Sequence, residues 1–198
     1  MARIDSVFAT QIYRAQLTPD AELERACLAL ARDDLAGRRW AKAHGYRGYT
    51  SYASLDDLPE RMPEFAALNR TLDRHVATFA RALDFELGRR RLALDSLWVN
   101  VMASGGVHGG HIHPHSAISG TFYVALPPGS SAIKFEDPRL PLMMAAPVRK
   151  QTARAASRTF ISIAPKPGML LLWESWLRHE VPQTAGRGRR ISISFNYR

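Results

Sequence analysis

Four of the seven histidines in this chain fall within eight residues, His108-Gly-Gly-His111-Ile-His113-Pro-His115. Imidazole is a common ligand of divalent transition metals, so the cluster marks candidate metal chemistry. In an extended chain, side chains two residues apart share a face and lie about 6–7 Å apart, which lets His111 and His113 converge on one ion. His115 has the same parity, but Pro114 and the polar Ser116 indicate a turning chain. His111 and His113 are therefore the expected ligands, with His108 and His115 as pocket wall. A third ligand must come from His44, His75 or His179. His75 falls in a helical pattern, where a structural role is the usual explanation, and His44 in an irregular stretch. His179 follows an apolar strand, 66 residues beyond His113, a separation that lets a jelly roll bring two strands together. An expression tag would be terminal and homogeneous, and this tract is neither.

The single cysteine, Cys27, excludes an internal disulfide framework and a cysteine-based zinc site. It points to a reducing compartment, the cytoplasm, and leaves metal chemistry to histidine and carboxylates. The net charge of +9 invites a nucleic-acid reading, but it comes from 23 Arg and only 4 Lys, a skew that codon bias produces without function. No apolar run approaches the roughly 18 residues a membrane helix needs, and neither a signal peptide nor a membrane span is expected.

The elements that must carry these residues divide the chain in two. Ser6 to Leu17 reads as an opening strand, and Thr18-Pro19-Asp20 starts a helix running to about Leu35 and stopped by Gly37. Arg38 to Leu58 has no sustained period and reads as an irregular loop. A second helix starts at Pro63 and keeps Phe65, Leu68, Leu72, Val76, Phe79 and Leu83 at helical spacing to about Leu87. Beyond Gly88 come short β segments: Leu92–Met102, Ser119–Leu126, Ala132–Phe135, Thr159–Ala164, Met169–Trp173 and Arg190–Tyr197. Short strands without intervening helices predict an antiparallel jelly roll, with Leu140 to Ser157 as a long mobile loop. The expected fold is α+β and mainly β, a double-stranded β-helix in a single domain over 1–198. Residues 1–88 form the strand-and-helix support and 89–198 the jelly-roll core with the metal site.

A set of short pieces in fixed order carries a family resemblance: Trp98-Val-Asn100, His111-Ile-His113-Pro114, Ser119-Gly-Thr-Phe-Tyr123, Phe135-Glu-Asp-Pro-Arg139, Pro167-Gly168, His179-Glu-Val-Pro182 and Arg190-Ile-Ser192-Ile-Ser-Phe195-Asn196. With Phe8-Ala-Thr and Gly48-Tyr-Thr-Ser51 they cover most of the chain. Together they resemble the bacterial 2-oxoglutarate/iron(II)-dependent oxygenases that carry a His-x-His-Pro motif.

That wider superfamily holds iron by two histidines and one carboxylate, with open positions for co-substrate and dioxygen. Carried over by residue, the resemblance implies His111, His113 and His179 as the metal ligands, with His113 standing where the acid would be. Asp137 and Glu180 are the nearby acids that could replace it. The family's Arg-x-Ser falls on Arg190-Ile-Ser192, implying that Arg190 grips the far carboxylate of 2-oxoglutarate with Ser192 beside it. Asn100 and Tyr123 are further candidates for the same ligand. Arg187 and Arg189 read as solvated, and Trp98, Trp173 and Trp176 as core. The implied activity is a dioxygenase using Fe(II) and 2-oxoglutarate, hydroxylating a small molecule or peptide of unassigned identity and releasing succinate and CO2.

Two other readings stand beside it. A cupin-type three-histidine dioxygenase would not use 2-oxoglutarate, and Arg190-Ile-Ser192 argues against it. A metal-stabilised binding protein would have lost catalysis with its carboxylate. A nucleic-acid partner would use Arg89-Arg90-Arg91 with Arg149, Lys150, Arg154 and Arg158, but no recognition motif accompanies them and a solvated charge run is the preferred explanation. No membrane partner is expected, and an oligomer is allowed.

Overall fold

The computed structural model describes residues 2–198. Ten strands among the described residues form two antiparallel sheets. The larger has the order β1 (Ile12–Gln16), β8 (Met169–Glu174), β5 (Ile118–Ala125), β10 (Arg190–Tyr197), β3 (Leu94–Met102), β2 (Gly48–Thr50). The smaller has the order β4 (His108–His111), β9 (His179–Val181), β6 (Ile133–Glu136), β7 (Phe160–Ile163). The result is the double-stranded β-helix read from the sequence, α+β and mainly β.

Alternation along the large sheet sorts its two faces. On β10, Ile191, Ile193, Phe195 and Tyr197 join the core under the helices, whereas Arg190, Ser192, Ser194 and Asn196 line the cavity between the sheets. On β3, Leu97, Val99 and Val101 turn to the helices, and Ser96, Trp98 and Asn100 to the cavity. Helices α1 (Ala21–Asp33), α2 (Leu35–Ala43), α3 (Leu58–Arg61) and α4 (Pro63–Ala82) precede β3, and α1 and α4 close the helix-facing core. Pro63 opens α4, and Phe65, Leu68, Leu72, Val76 and Phe79 are all buried along it. Each such side chain contributes about 1.5–3 kcal/mol of burial. Tyr197 ties the sheet to this helix by donating to Asp73 Oδ1 at 2.8 Å. A second apolar cluster, with Ile133, Phe135, Leu171, Trp173, Leu177 and Val181, fills one end of the space between the sheets.

The amino-terminal half departs from the sequence reading. Gly37 does not end a helix; it lies inside α2 (Leu35–Ala43). Asp34 separates the two helices by closing α1 through its backbone N–H to Leu30 O and capping α2 by accepting from Gly37 N at 2.9 Å. The supposed loop Arg38 to Leu58 therefore contains most of α2, followed by β2 on the edge of the large sheet. The opening strand is only Ile12–Gln16, because Phe8 sits at φ 57° and breaks the extended run. The long helix stops at Ala82 rather than near Leu87, with Asp84 at φ 54° turning the chain away. Leu140 to Ser157 holds two short 3-10 turns and is mostly exposed. Among the described residues no helix is long and apolar enough to cross a membrane.

Candidate metal centre

Three imidazoles meet at one point between the sheets. Ligand atoms of His111, His113 and His179 all lie within 4.8 Å of one another. Ring centroids are 5.0 Å apart for His111–His113, 4.4 Å for His111–His179 and 5.2 Å for His113–His179. Backbone register explains the meeting, since His111 on β4 is directly paired with His179 on β9. A register shift between His108 and His111 re-aims the chain at Gly109-Gly110. His113 lies just past β4 and is fixed by its N–H donating to Ser175 O at 3.0 Å. Ser175 is itself hydrogen-bonded to Ser119, which donates to Asn196 Oδ1 at 2.8 Å.

The three imidazoles are in a form that could bind a metal. Nδ1 of His111 faces Gly109 O at 2.7 Å, and Nδ1 of His179 faces Leu177 O at 2.9 Å. A carbonyl only accepts, so each Nδ1 carries the proton and each Nε2 keeps its lone pair for an ion. Burial, reinforced by the neighbouring His111, pushes His113 down to about 4. Burial takes His179 to about 3, opposed by its bond to Leu177 and reinforced by the neighbouring histidines. Both are uncharged at neutral pH, the form that binds metal. This donor set fits a divalent transition ion.

The other histidines do not join. His44 Nδ1 lies 2.9 Å from Trp40 O at the end of α2, and His75 Nδ1 lies 2.8 Å from the Tyr13 hydroxyl. His115 is exposed at φ 69°, in agreement with a turn after Pro114. His108 lines the cavity, hydrogen-bonded through Nε2 to the Tyr46 hydroxyl at 3.0 Å. The two acids weighed as substitutes are engaged elsewhere. Asp137 accepts from Arg139 at 3.0 and 2.8 Å, and Glu180 accepts from Lys134 Nζ at 2.9 Å.

The centre opens into a cavity of about 840 Å³. At the end where β10 begins sits Arg190, 2% exposed, with Nη1 donating to Ser192 Oγ at 3.0 Å and its guanidinium 5.1 Å from the Tyr123 ring centroid. No carboxylate among the described residues forms an ion pair with it. Arg190 Nε, the Tyr123 hydroxyl and Trp173 Nε1 are buried without a hydrogen-bond partner, and all three residues line this one cavity. Such groups are costly to bury unpaired and are suited to a polar ligand. Asn100 also lines the cavity, with Nδ2 donating to Ser194 Oγ at 3.3 Å. Tyr46, which the sequence reading passed over, is brought in by the α2–β2 connection. Its hydroxyl is pushed up by burial and drawn back by the Arg190 charge.

The opposite end is aromatic. Trp40, Tyr52 and Trp98 form a contiguous series with centroid spacings of 6.2 and 5.3 Å, and Trp98 reaches His113 at 5.9 Å. Trp98 and Trp173 are thus cavity wall as well as core, whereas Trp176 is exposed. A larger open groove of about 1120 Å³ along α4 contains Arg90 and Arg91 but no histidine.

No curated protein matches the chain. Among solved structures, a Pseudomonas putida prolyl-4-hydroxylase is similar at 17% identity and TM-score 0.55, covering 96% of this chain and 92% of that one. HygX from Streptomyces hygroscopicus, with nickel and 2-oxoglutarate bound, is similar at 16% identity and TM-score 0.57, covering 95% and 81%. A Burkholderia pseudomallei oxidoreductase of the 2OG-Fe(II) oxygenase family matches at 16% identity and TM-score 0.50, and the aligned part covers 68% of this chain and 57% of that one. These likenesses concern the fold. Residues 96–196, half of the chain and nearly all of its cavity-lining strands, match the family model described as "Putative 2OG-Fe(II) oxygenase". The protein belongs to this family of 2-oxoglutarate- and Fe(II)-dependent oxygenases.

Proposed function

We propose that His111, His113 and His179 hold the Fe(II), and that Arg190 with Ser192 receives the distal carboxylate of 2-oxoglutarate. The enzyme then hydroxylates a small-molecule or peptide substrate with release of succinate and CO2. The observation that carries this reading is Arg190, a buried cation without a partner acid in the same cavity as the three histidines. Its planar fork suits a carboxylate bidentately, and the unpartnered Tyr123 hydroxyl stands beside it as a further donor. Asn100, one strand across from Ser192, lines the same end.

Bound Fe(II) supplies the redox chemistry on dioxygen. The chain contributes position. His111 and His179 are locked in one tautomer by backbone carbonyls. Ser175 anchors the backbone of His113. The aromatic series of Trp40, Tyr52 and Trp98 reaches His113 and offers a substrate flat apolar surface. The cupin-type alternative leaves Arg190 without a purpose. In the test, anaerobic Fe(II) protein is titrated with 2-oxoglutarate and its metal content measured. A visible charge-transfer band is expected for the parent, and His111→Ala should retain no iron. Unchanged metal content in that variant would sink the ligand assignment.

A further inference from the structure

We propose that the groove between α1, α2 and β2 docks an acidic polypeptide segment bearing apolar side chains, because unpaired cations surround a largely aliphatic floor there and no acid lines it. The groove holds about 780 Å³. Its cations are Arg32, Arg38, Arg39, Lys42 and Arg189. Arg32 is paired with Asp33 at 2.7 Å. The other four form no ion pair among the described residues. Asp34 lies outside the lining and is engaged, accepting from Tyr49, Ser54 and Gly37 N.

Helix α2 concentrates the charge. Leu35, Arg38, Arg39 and Lys42 fall at i, i+3, i+4 and i+7, one face of the helix, and its sequence contains no acid. Lys42 therefore meets like charges three and four positions back, an arrangement that works against the helix. An anionic partner relieves that repulsion. Arg189, just before β10, adds a cation from a different element. The floor decides the kind of anion. It includes Leu28, Ala31, Leu35 and Val101, and Leu35 is 61% exposed. A single-stranded nucleic acid needs open aromatic rings for its bases. Here Tyr49 is 3% exposed, and the Tyr46 ring lies against His108 in the metal cavity with centroids 5.2 Å apart. Leucine among arginines suits a segment whose carboxylates meet the rim while its apolar side chains meet the floor. A second copy of the chain is disfavoured, since a net charge of +9 makes copies repel. The groove adjoins the metal cavity, because Tyr46 lines both and Arg189 directly precedes the cavity-lining Arg190. A docked partner is thus held against the outer side of the cavity wall, whichever ion the histidines bind.

The test is fluorescence anisotropy of the full-length chain at about 100 mM salt with a labelled peptide of Glu-Glu-Leu repeats. The parent should bind it with a Kd below about 100 μM. Arg39→Glu with Lys42→Glu should weaken binding at least about tenfold. Arg89→Glu with Arg90→Glu, the same change of net charge away from the groove, should weaken it less than about twofold. If the α2 variant does not fold, Arg189→Glu carries the same expectation from the other side of the groove. A peptide with serine in place of leucine should bind several-fold more weakly. Equal losses in the two double variants reduce the effect to net charge and overturn the proposal, as does a parent that ignores the peptide. A single-stranded oligothymidylate that binds more tightly than the peptide, and is lost with the α2 variant, makes the partner a nucleic acid instead. Self-association of the parent that the α2 variant abolishes makes it a second copy.

Discussion

Replacing Arg190 by methionine should make the metal-free protein more stable and deaf to 2-oxoglutarate. The guanidinium is 2% exposed, makes one side-chain hydrogen bond, to Ser192, and leaves Nε unpartnered. A buried ion carries an effective penalty of several kcal/mol, and removing one that has no partner charge recovers about 3–4 kcal/mol of it. Against this stand the loss of the Ser192 bond and of the contact with the Tyr123 ring, about 1 kcal/mol each. The net expectation is a gain of about 1–2 kcal/mol, or a rise of about 2–8 °C in Tm for a chain of this length. Binding changes in the opposite sense. Removing one partner of a buried charge pair costs about 2–5 kcal/mol, so 2-oxoglutarate affinity should fall by a factor of about 30 to a few thousand. The assay is thermal unfolding of parent and Arg190→Met, each with and without Mn(II) plus 2-oxoglutarate. At a hundred times its Kd, 2-oxoglutarate stabilises the Mn(II)-loaded parent by about 2.7 kcal/mol, a shift that falls below about 1 kcal/mol in the variant. The reasoning is refuted if the variant melts below the parent without ligand, or if 2-oxoglutarate raises both melting points equally.

Acid should destabilise the metal-free protein, because burial lowers His108 and His113 to about 4 and His179 to about 3. The fold binds these protons less readily than the unfolded chain, so the associated stability is complete above about pH 6.5 and is lost as pH falls towards 4. It amounts to about 3 kcal/mol for His108 alone. Denaturant midpoints at pH 7.5 and 4.5 measure this, and equal midpoints would contradict it. Gly120→Ala should cost about 1–3 kcal/mol by overpacking. Its Cβ would sit 2.5 Å from the Phe195 ring and 2.7 Å from Leu171 O, neither of which has room to withdraw from the core. Urea unfolding with an unchanged midpoint would show that this sheet face yields.

The cavity-forming strands are legible in the sequence because their two faces differ chemically. In Arg190-Ile-Ser-Ile-Ser-Phe-Asn-Tyr197 every second residue is apolar, and the structure puts those under the helices and the polar set in the cavity. His111 and His113 were readable from alternation and local density. The pairing of His111 with His179 depends on β4 and β9, which escaped notice. β4 is His-Gly-Gly-His with no apolar residue, and β9 is three residues long, so neither offers a periodic signal. α2 was missed because Gly37 looks like a terminator, whereas in the fold it is held by the Asp34 cap. Tyr46 had no signal at all. Its place beside His108 follows from a helix-to-strand connection that only the tertiary structure defines.

β4 lies at the border of the smaller sheet, bonded on one side to β9 and on the other to no strand among the described residues. It contributes His111, and its neighbour contributes His179. A border strand of four residues, two of them glycine, has little of its own to prevent fraying. An ion shared between these histidines would act as a rivet across the pair, joining two backbones where ladder bonds are few. The wall of the cavity would then be only as rigid as the metal's occupancy, and amide exchange along β4 would report the filling of the centre.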